Sequence, residues 1–446
     1  MKLYSTNNKN NIVDLKEAVF KGLPEDKGLF MPLVIPELSQ NFIQNIEKYS
    51  FQEIGFEITK ALLQGYLSDK EIKNIIQEAI NFPAPVIQLD EHKGILELFH
   101  GPSLAFKDFG ARFMAQLMSH FNHKEEQDLV ILVATSGDTG GAVAAGFFDT
   151  AGIEVIILYP SGKVSLLQEK QLTTLGKNIT AIEIDGSFDD CQALVKKAFL
   201  NKTLTKHIRL SSANSINIAR LIPQSFYYFE AYKQVKSLGK DVVFSIPSGN
   251  FGNLTAGLLA HEMGLPAHHF IAATNINDVV PEYLKKGTYQ TRPSVRTISN
   301  AMDVGAPSNF ARMLDLYHPS KHNECSTWNT MTQHINGYAF SDKQTKAAIT
   351  EVYNTYNYII DPHGAVGYLA LQEYQRSNEG RNTFGIIFET AHPSKFIDSI
   401  QGLIPTPVHI PARLLKLKNK EKVSIRLSKD FDTFHEWLKK RYDIQG

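Results

Sequence analysis

The sequence predicts an α/β protein of two lobes, each built on largely parallel sheet flanked by helices, plus a helical N-terminal extension. Short β-rich apolar runs recur along the chain, helical patterns separate most of them, and glycine-rich turns stand where a run gives way to a helix. The composition of the 446 residues, 43% hydrophobic and 21% charged, supplies ample core.

In chain order, residues 15–80 read as helical and strand-poor, and 1–95 is assigned to the extension. Strands are expected at 95–100, 129–135, 155–160, 179–185, 242–247, 270–275 and 383–390, and helices at 106–121, 142–149, 216–238 and 254–263. The smaller lobe is placed at 96–230 and the larger at 231–446. No low-complexity linker marks these boundaries, which leaves room for the lobes to share chain segments.

Composition also excludes. Lys+Arg and Asp+Glu each number 46, so the chain carries no basic excess for a broad nucleic-acid surface. Two cysteines, Cys191 and Cys325, give neither a disulfide framework nor a cysteine-built metal site, and suit a reducing compartment. Residues 1–11 lack the apolar core of a signal peptide, and no apolar run approaches the ~18 residues of a membrane span. A cytoplasmic location is expected, without a membrane partner.

Three junctions carry the chemistry. At 100–113, Gly101-Pro102 turns the chain and a helix begins, with Phe106, Phe109, Phe113 and Leu117 on one stripe and Lys107 at its margin. A lysine in partly apolar surroundings loses proton affinity, and its neutral amine can form a Schiff base. The plainer alternative is a solvated lysine beside an Asp108–Arg112 pair. At 134–142, Ser136-Gly137-Asp138-Thr139-Gly140-Gly141 follows an apolar strand and opens a small-residue helix. Helix-start amides with the hydroxyls of Ser136 and Thr139 suit a carboxylate; a turn needing glycine only for conformation is the alternative. At 247–255, Ser248-Gly249-Asn250-Phe251-Gly252-Asn253 again links strand to helix, and its amides could close on a phosphate. It lacks both the P-loop ending and dinucleotide spacing, and a purely structural turn is the alternative.

Together, and in this order, the Phe106-Lys107-Asp108, 136–141 and 247–252 motifs resemble the second fold type of pyridoxal-phosphate enzymes, and within it the threonine synthases. Further similar stretches are 23–32, where Lys27 replaces a glycine of the family, and 159–165, 214–220, 299–303, 361–366 and 389–396. The resemblance implies pyridoxal 5'-phosphate on Lys107, its phosphate on Ser248, Gly249, Asn250, Phe251, Gly252 and Asn253, and Thr390 against the ring nitrogen. It implies a substrate carboxylate on Ser136, Gly137, Asp138 and Thr139. Arg112, Lys163, Asn214, Asn217 and Arg220 are the candidates for a substrate phosphate. The implied reaction converts O-phosphohomoserine and water to threonine and phosphate, with Lys107 as general base at Cα. His100, His363 and His392 are given no chemistry, and the scattered histidines show no metal site. A monomer or homodimer is expected. The competing expectations are a serine/threonine dehydratase or β-replacement enzyme of the same fold type, or a non-catalytic metabolite-binding relative.

Overall fold

The computed structural model describes every residue except Gln64, 124–126, 319–325, 378–381 and 445–446. Cys325 thus lies outside the described residues, while Cys191 is buried, with its thiol pushed up to about 12 by burial.

The N-terminal region is largely helical over residues 15–79, as expected, and adds a small sheet that the sequence did not announce. Lys2–Ser5 pairs antiparallel with Asn8–Asp14 on one side and with Phe30–Pro32 on the other. The hairpin turns Leu3, Tyr4 and Val13 inward and leaves Asn8, Lys9 and Asn10 exposed, so its polar outer residues hid the strand in the sequence. Helices then follow. Asp14 caps Leu15–Lys21 through the Glu17 amide, and Ser68 with Glu71 forms a capping box at Asp69–Ala79. Each such cap contributes about 1 kcal/mol.

Two larger sheets follow. The six-stranded one runs Ile335–Ala339, His269–Thr274, Asp241–Pro247, Thr383–Glu389, Lys93–Glu97, Val86–Gln88, parallel except for the last strand. The five-stranded one is parallel throughout, in the order Ile425–Ser428, Ile179–Asp185, Ile153–Pro160, Leu129–Ala134, Arg209–Ser212. Strands such as Leu129–Ala134 are buried along their whole length, as expected of parallel sheet covered on both faces.

The partition into 1–95, 96–230 and 231–446 does not follow these sheets. Val86–Gln88 and Lys93–Glu97 join the six-stranded sheet, and Ile425–Ser428 completes the five-stranded one. The expected 216–238 helix is broken at Pro223 into Ile218–Leu221, a tight turn Ile222–Gln224, and Phe226–Val235, because proline cannot donate within a helix.

The helix Lys107–Asn122 packs against the helices Asp138–Phe147, Asp69–Ala79 and Ile218–Leu221. Phe109, Phe113 and Leu117 are fully buried, with Phe109 against Phe51, Phe82 and Tyr227, and Phe113 against Phe226. Burying each such ring contributes roughly 1.5–3 kcal/mol. The stripe therefore anchors the helix whose first residue is Lys107.

Candidate active site

The carboxyl ends of strands in both sheets open on one cavity of about 1160 Å³, bordered by Lys107, Ser136, Thr139, Gly249–Asn253 and Thr390. Parallel α/β sheets place their ligands at such ends.

Lys107 is fixed by its neighbours. The Phe106 amide donates to the Thr390 carbonyl at 2.8 Å, and the Ser103 amide to the Asp108 carboxylate at 2.8 Å. Asp108 is buried, its carboxyl pushed up to about 6 chiefly by that burial. The alternative of an Asp108–Arg112 surface pair does not hold, because the Arg112 guanidinium donates to the carbonyls of Ala79, at 3.1 Å, and Glu78. Burial pushes the Lys107 amine down to about 8; Asp138 opposes the shift, while Lys395 and Arg220 add to it. Roughly one such amine in ten is neutral near pH 7, against a few in ten thousand for an ordinary lysine.

In the 248–253 loop the side chains look after the loop itself. Asn253 donates to the Pro247 carbonyl at 2.8 Å and accepts from the Leu254 amide, while Asn250 donates to Ser215 at 3.0 Å and accepts from the Ser308 amide. Ser248 is buried and donates to the Ile246 carbonyl. Phe251 turns the chain with φ +58°, and the helix Gly252–Glu262 begins. The amides of residues 250–253 find no acceptor among the described residues, and they stand at the positive end of an eleven-residue helix. The two glycines differ. A Cβ on Gly249 would lie 2.4 Å from the Ala301 carbonyl oxygen, whereas one on Gly252 would meet nothing closer than 3.4 Å. The protein's own packing requires Gly249; it does not require Gly252.

The 136–139 loop is built differently. The Gly137 and Gly140 amides both donate to the Thr135 hydroxyl, at 2.9 and 2.8 Å. Gly137 holds φ +134°, a conformation that side chains resist. Asp138 is 5% exposed and pairs at 2.5 Å with Lys395 Nζ, with Gln168 donating to the same oxygen at 2.9 Å. Burial alone would raise the Asp138 carboxyl, but Lys395 and then Lys107 hold it well below the usual range.

The five candidates for a second anion separate. Arg220 and Lys163 border the cavity; Arg112, Asn214 and Asn217 do not. Arg220 is buried, donates to the Ala213 carbonyl, and has its guanidinium pushed down to about 10 by burial, with Asp108 opposing. Lys163 is exposed. Asn217 caps the Ala219 amide and donates to the Val19 carbonyl at 2.8 Å, and the Asn214 carbonyl takes the Asn217 amide. Both asparagines thus serve the turn into Ile218–Leu221. Sequence reasoning missed Arg292, Arg296 and Lys395, which also border the cavity. Arg292 is paired with Asp278, whereas Arg296 is exposed. Lys395 lies in a stretch quoted for the resemblance, and its place between Pro393 and Phe396 was the available signal for burial.

Thr390 borders the cavity and is 6% exposed. Behind it, burial and then Asp361 push the Glu389 carboxyl well above its ordinary range. His363, given no chemistry above, contributes to the wall. Its Nδ1 lies 2.6 Å from Asp361, and its Nε2 accepts from the Ala301 amide at 3.2 Å. No group of three or more His, Cys, Asp or Glu among the described residues is placed to hold a metal ion. The arrangement can hold one phosphate on amides, present a nucleophilic amine, and take a second, anionic molecule beside it.

Comparison with known proteins agrees. Residues 84–389 match the family described as pyridoxal-phosphate dependent enzyme, residues 2–80 the threonine synthase N terminus, and residues 364–437 the threonine synthase C-terminal family. The chain is 43% identical to a threonine synthase of Haemophilus influenzae over 99% of its own length and 100% of the relative's. The crystal structure of threonine synthase from Escherichia coli superposes with a TM-score of 0.91 at 40% identity, covering 99% of this chain and 100% of that one. A pyridoxal-phosphate-bound threonine synthase from Brucella melitensis also gives 0.91, at 31% identity and full coverage of both chains.

Proposed function

The chain belongs to the threonine synthases, lyases that use pyridoxal phosphate, and from that premise we propose that it acts on O-phospho-L-homoserine with Lys107 as its cofactor lysine. The observation that carries this reading is the meeting of three unlike groups on one cavity: the half-buried Lys107 amine, the open amides of residues 250–253, and the Thr390 hydroxyl.

These residues fit the cofactor. The amides suit its phosphate, and the side-chain-free Gly252 leaves room that the protein does not otherwise need. Ser248, Asn250 and Asn253 act by holding the loop rigid. When bound, pyridoxal phosphate supplies an electron-withdrawing ring that accepts the charge left as a substrate proton departs. Thr390 would offer the ring nitrogen a neutral hydroxyl, which can donate a hydrogen bond but would not stabilise a proton there as a carboxylate would.

The remaining roles fall to this chain's own side chains. The Lys107 Nζ takes the Cα proton and later returns it, a task for which an amine poised near 8 is suited. Ser136 and Thr139 offer hydroxyl donors to the substrate carboxylate. Besides Lys107, the cavity-bordering Lys and Arg side chains without a carboxylate ion pair among the described residues are Lys163, Arg220 and Arg296, and these receive the substrate phosphate. The reading includes a cytoplasmic setting; no helix among the described residues is long and apolar enough to cross a membrane.

The test is a product assay. Purified protein with added cofactor is expected to release inorganic phosphate from O-phosphohomoserine in step with threonine. Deamination of serine or threonine to keto acids, with no phosphate released, overturns the reading and favours a dehydratase.

A further inference from the structure

Lys395 is a second lysine at the cavity, and the reaction as outlined does not use it. Its side chain is 0% exposed yet borders the cavity; Asp138 is its ion-pair partner at 2.5 Å and does not border it. The ammonium also donates to the Ser103 carbonyl at 3.0 Å, on the turn that leads into Lys107. The pair spans the two sheets. Lys395 follows the strand Thr383–Glu389 of the six-stranded sheet, and Asp138 heads the helix Asp138–Phe147 behind the five-stranded one. It is thus a dipole whose positive end borders the cavity, with its negative end on Asp138 in the same loop as Ser136 and Thr139, which also border it.

A carboxylate at this place is unfavourable on its own. Asp138 lies in the loop that the proposed function gives to the substrate's carboxylate, and two like charges in a site of low dielectric repel strongly. Lys395 resolves the conflict. We propose that Lys395 supplies the positive charge at the substrate-carboxylate end of the cavity, and that Asp138 is its counter-ion rather than a ligand of the substrate. This rests on the proposed function's assignment of that end to the carboxylate. Lys395 is here a positioning residue, which acts through charge and through its hold on Asp138 and Ser103.

A merely structural clamp between the lobes predicts loss of stability for any ligand, whereas a charge role predicts discrimination between ligands. The holoenzyme is titrated with L-threonine and with L-threoninamide, which lacks the carboxylate charge, and binding is read from cofactor absorbance without turnover. In Lys395→Met the preference for threonine over the amide is expected to fall about tenfold or more, because Asp138 is left uncompensated. In Asp138→Asn the preference is expected to hold or rise, since the cation remains. The double variant is expected to recover roughly threefold or more over Lys395→Met. An unchanged preference in Lys395→Met, or a comparable fall in Asp138→Asn, overturns the proposal. Should Lys395→Met fail to fold, Asp138→Asn decides alone, by the same criterion. Phosphate release by the wild-type enzyme, measured separately, tests the parent reading, so the two failures are distinguishable.

Discussion

At residues 134–142 and again at 247–254, a buried parallel strand gives way to a helix through a glycine turn, yet the two turns leave opposite things available. In the first, the Thr135 hydroxyl takes the Gly137 and Gly140 amides, and what borders the cavity is Ser136, Thr139 and the buried Lys395, with Asp138 paired behind it. In the second, Asn250 and Asn253 brace the turn by other bonds, and the amides of residues 250–253 stay open. The shared pattern of strand, glycine and helix therefore does not define the ligand. Which group satisfies the amides does. Open amides at a helix start suit a phosphate that stays bound, while a loop whose amides are already used can offer its side chains to a carboxylate that must come and go.

The largest expected effect lies between the two turns, at Lys107. Lys107→Ala is expected to lower turnover roughly 10³-fold, the scale of a lost general base, while keeping part of its cofactor by the open amides alone. Peptide mapping after borohydride reduction of the wild type should find the cofactor on Lys107; attachment at another lysine removes the amine from this picture. The pH dependence has a definite sign. Only the neutral amine attacks an aldehyde, so capture of cofactor by apoprotein should speed up as pH rises and reach half its limit near 8, the value to which burial pushes Lys107 down. A midpoint near that of an ordinary lysine would mean that the amine is solvated.

Smaller effects separate the turns from each other. Thr135→Val strands two amides that the hydroxyl now takes. It should cost about 2 kcal/mol of stability in denaturant unfolding and leave cofactor affinity little changed. Full stability in that variant would show that the first turn is as open as the second. Gly252→Ala should do the reverse. No described atom obstructs the added methyl, and alanine favours the helix, so folding should hold while cofactor binding weakens about tenfold, near 1.4 kcal/mol. Wild-type affinity there would remove the phosphate from this turn.

Much of this was readable in advance, and the part that was not has a common cause. The central strands announced themselves because burial on both faces demands an unbroken apolar run, as in Leu129–Ala134. The strands missed in the two larger sheets were Val86–Gln88, Ile335–Ala339, Arg209–Ser212 and Ile425–Ser428, and each is an edge. An edge strand has one neighbour and a half-solvated side, so its pattern is weak and pairing defines it. The site divides in the same way. Glycine turns are local and were legible. Whether a polar side chain reaches the cavity depends on distant partners: Arg112 is taken by the end of the helix Asp69–Ala79, and Asn217 by Val19. Lys395 was passed over because its partner, Asp138, comes from the other lobe.

The strand Ile425–Ser428 has a consequence for how the chain is made. Synthesis reaches Leu129–Ala134, Ile153–Pro160 and Ile179–Asp185 early, but their sheet gains its last edge only when the C-terminal residues arrive, together with Phe434 and Leu438, which seal the same core. Through most of translation, then, a nascent chain carries Ile179–Asp185 as a bare parallel edge, the kind of surface that invites mispairing between chains on neighbouring ribosomes. The five-stranded sheet is the last to be completed, and the interval before Ile425–Ser428 arrives is the one in which a chaperone has most to protect.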